Sequence, residues 1–445
     1  MKLLMISLGC DKNRVDSEEM LGLLSSRGYE LTDDEAEAEA CVINTCCFIQ
    51  DALKESIDEI IAAGKLKTEG KLKILIVTGC MAQRYKEQIL AEMPEVDAVV
   101  GVTKRAGIAD ILDDAVKGKK TIAVADASRD EEIPAKRLLS TGGHYAFLKI
   151  AEGCNKCCTY CVIPKIRGRY RSFPMEKLLK EARELADQGV TELIVVAQET
   201  TIYGKDLYGE KKLHVLLQEL AKIESLHWIR VLYCYPEEIY PELIDVMASE
   251  KKICHYLDLP IQSASDAILK RMNRRTTEAE LRELVGTLRK RIPDIFLRTT
   301  IITGFPGETD EDFEKTLAFV REMKFDRLGC FTYSKEEGTA AAKMPGQIRK
   351  NVKVKRRNAV MAEQQKISLA KGKARIGSMM EAVVEGYLPE EDIYTARTYG
   401  DAPGVDGYVF VGCDRELMSG DFINVRITGA SHYDLTGEEV YESAE

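Results

Sequence analysis

Three short apolar runs near the start of the chain each deliver a cysteine at the same relative place. KLLMISLG precedes Cys10, EACVINT precedes Cys46, and LKILIVTG precedes Cys80. Each run is followed by a polar, helix-like stretch, and that alternation predicts an α/β domain with a mostly parallel sheet. In such a sheet the C-terminal strand ends share one edge, where ligands collect. Thiols 36 and 34 residues apart in sequence can therefore meet in space. A single free cysteine is ordinarily a small buried hydrophobe. Three at equivalent strand ends point instead to a shared metal centre, one protein ligand short of four. Cys47 neighbours Cys46, and Cys46 is the better candidate because it directly follows the strand and the Asn44-Thr45 pair.

The chain holds 13 cysteines in 445 residues. An odd count and irregular spacing argue against a disulfide framework and for a reducing compartment, the cytoplasm. The start, MKLLMISLGC, superficially suggests a lipoprotein leader, but the apolar stretch before Cys10 is shorter than the roughly 7–15 residues of a signal core. No apolar run approaches the roughly 18–20 residues that span a bilayer, so no membrane partner is expected. Hydrophobic residues at 45% and charged residues at 31% allow a sizeable core. The net charge of −10 argues against a protein that coats nucleic acid non-specifically.

A second strand–helix alternation runs from Tyr145 to about Ser334, with AFLKIA, ELIVVA, WIRVLY, HYLDLP, FLRTTII and DRLGCFT as strands. Six βα units without a second set predict a partial (β/α)6 barrel whose working face is the strand C-termini. Thr309, followed by Glu311 and Asp312, marks a helix start. Residues 343–375 carry eleven Lys/Arg with Glu363 as the only acid, and form a basic, helical segment better suited to bridging domains than to touching RNA. After it, EAVVEGY, GYVFVG and DFINVRIT predict a small antiparallel β-barrel. The expected fold class is α/β, divided into a Rossmann-like parallel-sheet domain at 1–118, a linker at 119–143 with room for an extra strand, the barrel at 144–342, the basic segment at 343–375, and a small antiparallel β-barrel at 376–445.

The loop GCNKCCTYC follows the first strand of the second alternation, and Cys154, Cys158 and Cys161 stand in it as C-x3-C-x2-C. Three thiolates in one loop can hold three irons of a 4Fe–4S cube, leaving the fourth iron open. An open metal position marks a reactive site rather than a structural one. Zinc is the competing reading, because Cys157 completes four sulfurs in eight residues. A four-cysteine zinc site normally needs two knuckles set further apart, and adjacent Cys157 and Cys158 are hard to aim at one tetrahedral ion.

This motif on the first strand of a six-unit barrel, with Tyr160 before the last cysteine, resembles the radical S-adenosylmethionine (SAM) superfamily. The resemblance implies that the open iron chelates SAM, and that one electron from the cluster cleaves it to a 5′-deoxyadenosyl radical. LGCDKNRVDSE, VINTCCF, VTGCMAQRY and EGCNKCCTYCVIPKIRGRYRS together resemble the methylthiotransferases from end to end. That likeness implies two 4Fe–4S clusters, one on Cys10, Cys46 and Cys80 and one on Cys154, Cys158 and Cys161, with SAM as cofactor and a C-terminal domain of the TRAM type. It also implies insertion of sulfur and a methyl group at an unactivated C–H bond, with a sulfur donor and an electron donor that the sequence does not identify.

The family has a branch acting on a ribosomal protein and a branch acting on transfer RNA. From Ser378 to Glu445 there are 15 acids against Arg397, Arg415 and Arg426, with no lysine, a net charge of −12. Such a domain repels phosphate and suits a basic ribosomal protein. LGCDKNRVDSE, AQETTIYGKDLYG and YGDAPGVDG resemble the ribosomal-protein branch, whose product is a β-methylthio-aspartate on protein twelve of the small subunit. PIQSASDAILKRMNRR, with Ser263 and Asn273, looks more like the transfer-RNA branch.

Several other residues stand where ligands are expected. Gly304 and Gly307, in GFPGET, follow a strand and open a helix, where glycine allows close backbone approach to SAM. Gln198 and Glu199 follow ELIVVA, Arg298 lies on a strand, and Tyr160 lies in the cysteine loop; all are candidate SAM contacts. Arg167, Arg169 and Arg171 could bind the target carboxylate through charge-assisted hydrogen bonds. No side chain is assigned to acid–base catalysis. Protein purified without oxygen should be brown, with about eight irons per chain, whereas a non-catalytic metal-binding module would be colourless and carry zinc.

Overall fold

Short hydrophobic segments buried on both faces form the two sheets that organise the chain. The computed structural model describes residues 1–127 and 137–440. Residues 128–136 of the expected linker, and Glu442 and Glu445 of the acid count, lie outside the described residues. The chain divides into two compact units. One is Met1–Ser140 with Ala151–Arg171 and Ser334–Ala342; the other is Thr141–Ile150 with Ser172–Tyr333 and Lys343–Glu445.

In the first unit, β1 (Lys2–Ser7), β2 (Glu30–Thr32), β3 (Ala40–Thr45), β4 (Ile74–Gly79), β5 (Ala98–Val100) and β6 (Thr121–Ala123) form one sheet in the order β2-β1-β3-β4-β5-β6. Every pairing is parallel. Successive side chains point to opposite faces, and here both faces are dry. Val42, Ile76 and Val100 pack with Met20, Leu24 and Leu112 on one side. Ile43, Leu75, Val77 and Val99 pack with Ile60, Ala63 and Met81 on the other. Near-continuous apolar strands are what a parallel sheet covered by helices requires. The extra strand expected in the linker is β6, at the sheet edge.

The second unit is built on β7 (Tyr145–Lys149), and the short strands β8 (Ala151–Glu152) and β9 (Arg171–Ser172) flank the cysteine loop in sequence. With β7 pair β10 (Glu192–Val196), β11 (Trp228–Val231), β12 (Ile253–Asp258), β13 (Phe296–Thr303) and β14 (Arg327–Thr332), in chain order and all parallel. The sheet is open, a partial barrel. Thr309 caps the helix Asp310–Met323 reciprocally with Asp312, the arrangement that satisfies two free backbone donors.

The C-terminal domain is a closed barrel of β15 (Met379–Leu388), β16 (Ile393–Thr398), β17 (Val409–Gly412), β18 (Phe422–Ala430) and β19 (Leu435–Glu439). It is not wholly antiparallel: β17 and β19 run in the same direction. Five is odd, so strands that alternate in direction cannot close a ring without one parallel pair. The basic segment forms the helix Lys350–Lys373. Its cations are partly internal, with Arg356 on Glu308 and Asp310, and Lys371 and Arg375 on Asp326.

Buried ion pairs join this barrel to the open sheet. Glu192, fully buried, accepts from Arg230 Nε at 2.7 Å and from Arg397 Nη2 at 2.6 Å. Arg298 pairs with Asp258 at 3.1 Å and Asp406 at 3.4 Å, and Arg327 Nε donates to Asp401 at 2.9 Å. Glu192 and Arg327 are the first residues of their strands and Arg298 is the third of its own. The barrel is therefore anchored at the N-terminal edge of the sheet.

Burial raises the Glu192 carboxyl, but Arg397 and Arg230 outweigh it and hold the group below its ordinary 4.5. A carboxylate depressed in the folded state contributes stability above its unfolded pKa and loses it as pH falls. Glu192→Ala leaves two buried guanidinium groups without their shared partner, and should cost about 3–5 kcal/mol in denaturant unfolding. The difference from the unmutated protein should begin to shrink as pH falls below about 4.5, where the unfolded chain's carboxylate protonates, and be lost as pH passes through the lower native value.

Candidate functional site

Parallel pairing of β1, β3 and β4 sets Cys10, Cys46 and Cys80 side by side at one sheet edge. The ladder continues past β1, with Leu8 N donating to Asn44 O at 2.9 Å, and Thr45 Oγ1 donates to Thr78 O at 2.5 Å. Asn13, in the first turn of the helix Asp11–Ser26 that Cys10 caps, fastens these ends together. Its Nδ2 donates to Leu8 O at 2.9 Å and to Thr45 O at 3.0 Å. Asn44 returns the bond, donating to Asn13 O at 2.8 Å and Ser17 Oγ at 2.9 Å. Gly9 adopts φ +91°, and a Cβ there would lie 2.7 Å from Cys46 Cβ and 2.9 Å from its sulfur. The Cys10 and Cys46 loops touch because residue 9 has no side chain.

Cys46 and Cys80 are buried while Cys10 is exposed. Burial pushes the Cys46 thiol up to about 12, aided by the neighbouring Cys80 and Cys10. Burial also raises Cys80, against the pull of the Arg167 guanidinium. Thiols of this kind become ligands only when a metal displaces their protons. Cys47 is buried in the hydrophobic cluster that also holds Cys41, Ile43 and Cys80, and burial, with Cys80 next, pushes its thiol up to about 12.

The second set lies in the same compact unit. Cys154 and Cys158 are buried and Cys161 half-buried, while Cys157 is exposed. Backbone amides aim at the sulfurs: Lys156 N at Cys154 Sγ, 3.5 Å, and Ile163 N at Cys161 Sγ, 3.4 Å. Burial outweighs this pull at Cys161 and raises its thiol, while the amide of Ile163 opposes the rise. Gly153, at φ +76°, has no room for a Cβ against the carbonyls of Gly168 and Arg169. After the loop, Val162 and Ile166 enter the same core cluster as Cys80 and Met81.

Among the described residues no three Cys, His, Asp or Glu side chains stand in an arrangement suited to one bare metal ion. A tetrahedral zinc ion draws its sulfurs tightly together. A cube takes each thiolate on a different iron and spaces them further apart.

The other predicted residues separate. Arg167 is 1% exposed. It donates to Asp16 at 2.7 Å, to Glu152 at 3.2 Å and to Asn13, so these groups occupy the guanidinium expected to meet a substrate carboxylate. Arg169 is exposed, and Arg171 Nη1 donates to its carbonyl at 3.1 Å. Tyr160 is half-buried in the cysteine loop. Gln198 and the buried Glu199 follow β10, and Gly304 and Gly307 follow β13. The close approaches at Gly304 and Gly307 are made by Lys353 and Arg271 side chains. Arg298, third in β13 and in register with Asp258 at the end of β12, is in ion pairs with Asp258 and Asp406, which engage the guanidinium expected to contact SAM. Asn273 has φ +59°, the conformation in which glycine and asparagine interchange most readily. Ser263 is buried against Thr316 and accepts from Ser265 N at 3.2 Å. Sequence reasoning missed Asn13, Asp16 and Ser17; the signal was their place inside LGCDKNRVDSE.

Residues 2–101 match Uncharacterized protein family UPF0004, residues 148–320 the Radical SAM superfamily, and residues 376–440 the TRAM domain. A curated protein of Lachnoclostridium phytofermentans, ribosomal protein uS12 methylthiotransferase RimO, is 58% identical over 98% of this chain and 99% of its own. The chain belongs to the RimO methylthiotransferase family. RimO proteins of Clostridioides difficile (48% identical, all of both chains) and Geobacter sulfurreducens (47%, 98% of each) are further relatives. Like the family, this enzyme is a radical-SAM methylthiotransferase that works with 4Fe–4S clusters and SAM. Solved structures share the fold. TsrM of Kitasatospora setae, with cobalamin and a [4Fe-4S] cluster bound, is 13% identical over 74% of this chain and 72% of its own, with TM-score 0.54. The cobalamin-dependent enzyme OxsB with SAM bound is 16% identical over 82% and 56%, with TM-score 0.51.

Gly9→Ala adds strain of about 1–3 kcal/mol at positive φ and drives a methyl group into Cys46. The reconstituted variant should lose about half its iron and unfold at lower temperature. Iron analysis beside a thermal melt checks both.

Proposed function

We propose that this enzyme adds a methylthio group to the β-carbon of an aspartate of ribosomal protein uS12. The observation that carries the reading is the pair of three-cysteine sets in one compact unit, their segments packed into one apolar core. Cys154, Cys158 and Cys161 would hold one cluster and Cys10, Cys46 and Cys80 the other, each set supplying three thiolates. When bound, these groups supply the radical that removes hydrogen, the sulfur and the methyl group. Asn13 and Asn44 keep the strand ends in register, and the amides of Lys156 and Ile163 stabilise the thiolates. Tyr160, Gln198, Glu199 and the backbone at Gly304 and Gly307 contact SAM. Arg169 and Arg171 remain for the target carboxylate.

The basic substrate docks on the acidic C-terminal barrel. Two of its acids, Asp401 and Asp406, pair with Arg327 and Arg298 outside it, while the pairs of Glu385 with Arg397 and Glu439 with Arg415 are already within the net count. Glu390, Glu391, Asp392, Asp414 and Glu416 remain exposed, and steer a cationic partner. No described helix is long and apolar enough to cross a membrane; the site of action is the cytoplasm, where ribosomes are.

Mass spectrometry of uS12 and of bulk transfer RNA from cells lacking the gene tests the substrate. Loss of a methylthio mass increment from uS12 alone is the expected result. Loss from transfer RNA alone overturns both the substrate and the role of the acidic barrel.

A further inference from the structure

Arg167 is the largest fully buried side chain near the cysteines that the reaction scheme leaves without a task. It follows the Cys154–Cys161 loop directly, yet its guanidinium lies among residues of the first cysteine set. Nη1 is held by Asp16 Oδ2 at 2.7 Å and Glu152 Oε2 at 3.2 Å. Nη2 donates to Asn13 Oδ1, the atom that also accepts from Cys80 Sγ at 3.7 Å. Arg105 Nε lies 3.4 Å from the other Asp16 oxygen and 2.9 Å from Glu19. Packing alone already holds this segment, through Val162 and Ile166. A buried guanidinium is costly to desolvate and adds one property that an apolar residue lacks, a permanent positive charge.

We propose that Arg167 is a positioning residue that fixes a positive charge beside the cluster of Cys10, Cys46 and Cys80, and so sets the potential at which that cluster accepts an electron. The inference rests on the reading that these three cysteines hold a cluster. A [4Fe–4S]2+ core with three thiolates carries a net charge of −1. One electron from a reductant such as dithionite makes it [4Fe–4S]+ with net charge −2. In a poorly solvated site the added charge is stabilised by a nearby cation and opposed by a nearby carboxylate. Arg167 does the first and Asp16 the second, and their mutual bond fixes both positions.

The test uses the full-length chain carrying Cys154→Ala, Cys158→Ala and Cys161→Ala, reconstituted with iron and sulfide so that one cluster remains. Its reduction by dithionite is followed by electron paramagnetic resonance. Arg167→Gln should shift the midpoint to more negative potential, Arg167→Lys should keep most of the original value, and Asp16→Asn should shift it to more positive potential. Opposite shifts from the two ends of one ion pair are an electrostatic result that loss of structure does not give. If Arg167→Gln fails to fold, Asp16→Asn and Arg167→Lys decide. Retained iron with an unmoved midpoint in both Arg167→Gln and Asp16→Asn overturns this inference alone. If the parent triple variant binds no iron, the assignment of a cluster to Cys10, Cys46 and Cys80 falls as well.

Discussion

The parallel hydrogen bonding of β1, β3 and β4 is the constraint on which the first cysteine set depends. Parallel neighbours end on the same side, so three segments distant in sequence deliver their next residues to one edge. The ladder brings backbones together but does not aim side chains. That work falls to Asn13 and Asn44, whose amides cross-link strand ends to the start of the helix, and to Gly9, whose missing side chain leaves space for Cys46. Backbone pairing and two asparagines thus accomplish what a contiguous motif does for Cys154, Cys158 and Cys161.

The two sets differ in how they are made and share one interior. Val162 and Ile166 sit in the same apolar cluster as Cys80 and Met81. Displacing one cysteine segment therefore disturbs the packing of the other. Arg167 adds a polar tie across the same region, through Asp16 and Asn13. Close-packed interiors transmit small shifts rather than absorb them, so the two sets are mechanically linked through ordinary side chains.

Much of this was legible in the sequence. The apolar runs that become β1, β3, β4, β7 and β10 to β14 are bounded by polar or glycine-bearing stretches, and their alternation with helices foretells parallel sheets. The cysteines at strand ends, the helix start at Thr309 and the helix at Lys350–Lys373 follow the same local rules. What could not be read was long-range pairing. Arg298 and Arg167 resemble free cations in a linear chain, and their carboxylate partners are 108 and 151 residues away at Asp406 and Asp16. Two of the acids counted in the barrel were hidden in the same way, since Asp401 and Asp406 pair with Arg327 and Arg298 outside it. The parallel β17–β19 pair was also hidden, because strand direction in a closed ring depends on the parity of the strand number and not on any one segment.

The ion pairs at Glu192, Arg298 and Arg327 clasp the small barrel to the end of the open sheet where its strands begin, while Gln198 and Gly304 lie where strands finish. A strand of six residues is about 20 Å long. The two ends of the open sheet are thus put to different uses: the N-terminal end is spent on holding the small barrel, and the C-terminal end is left to the loops that follow β10 and β13.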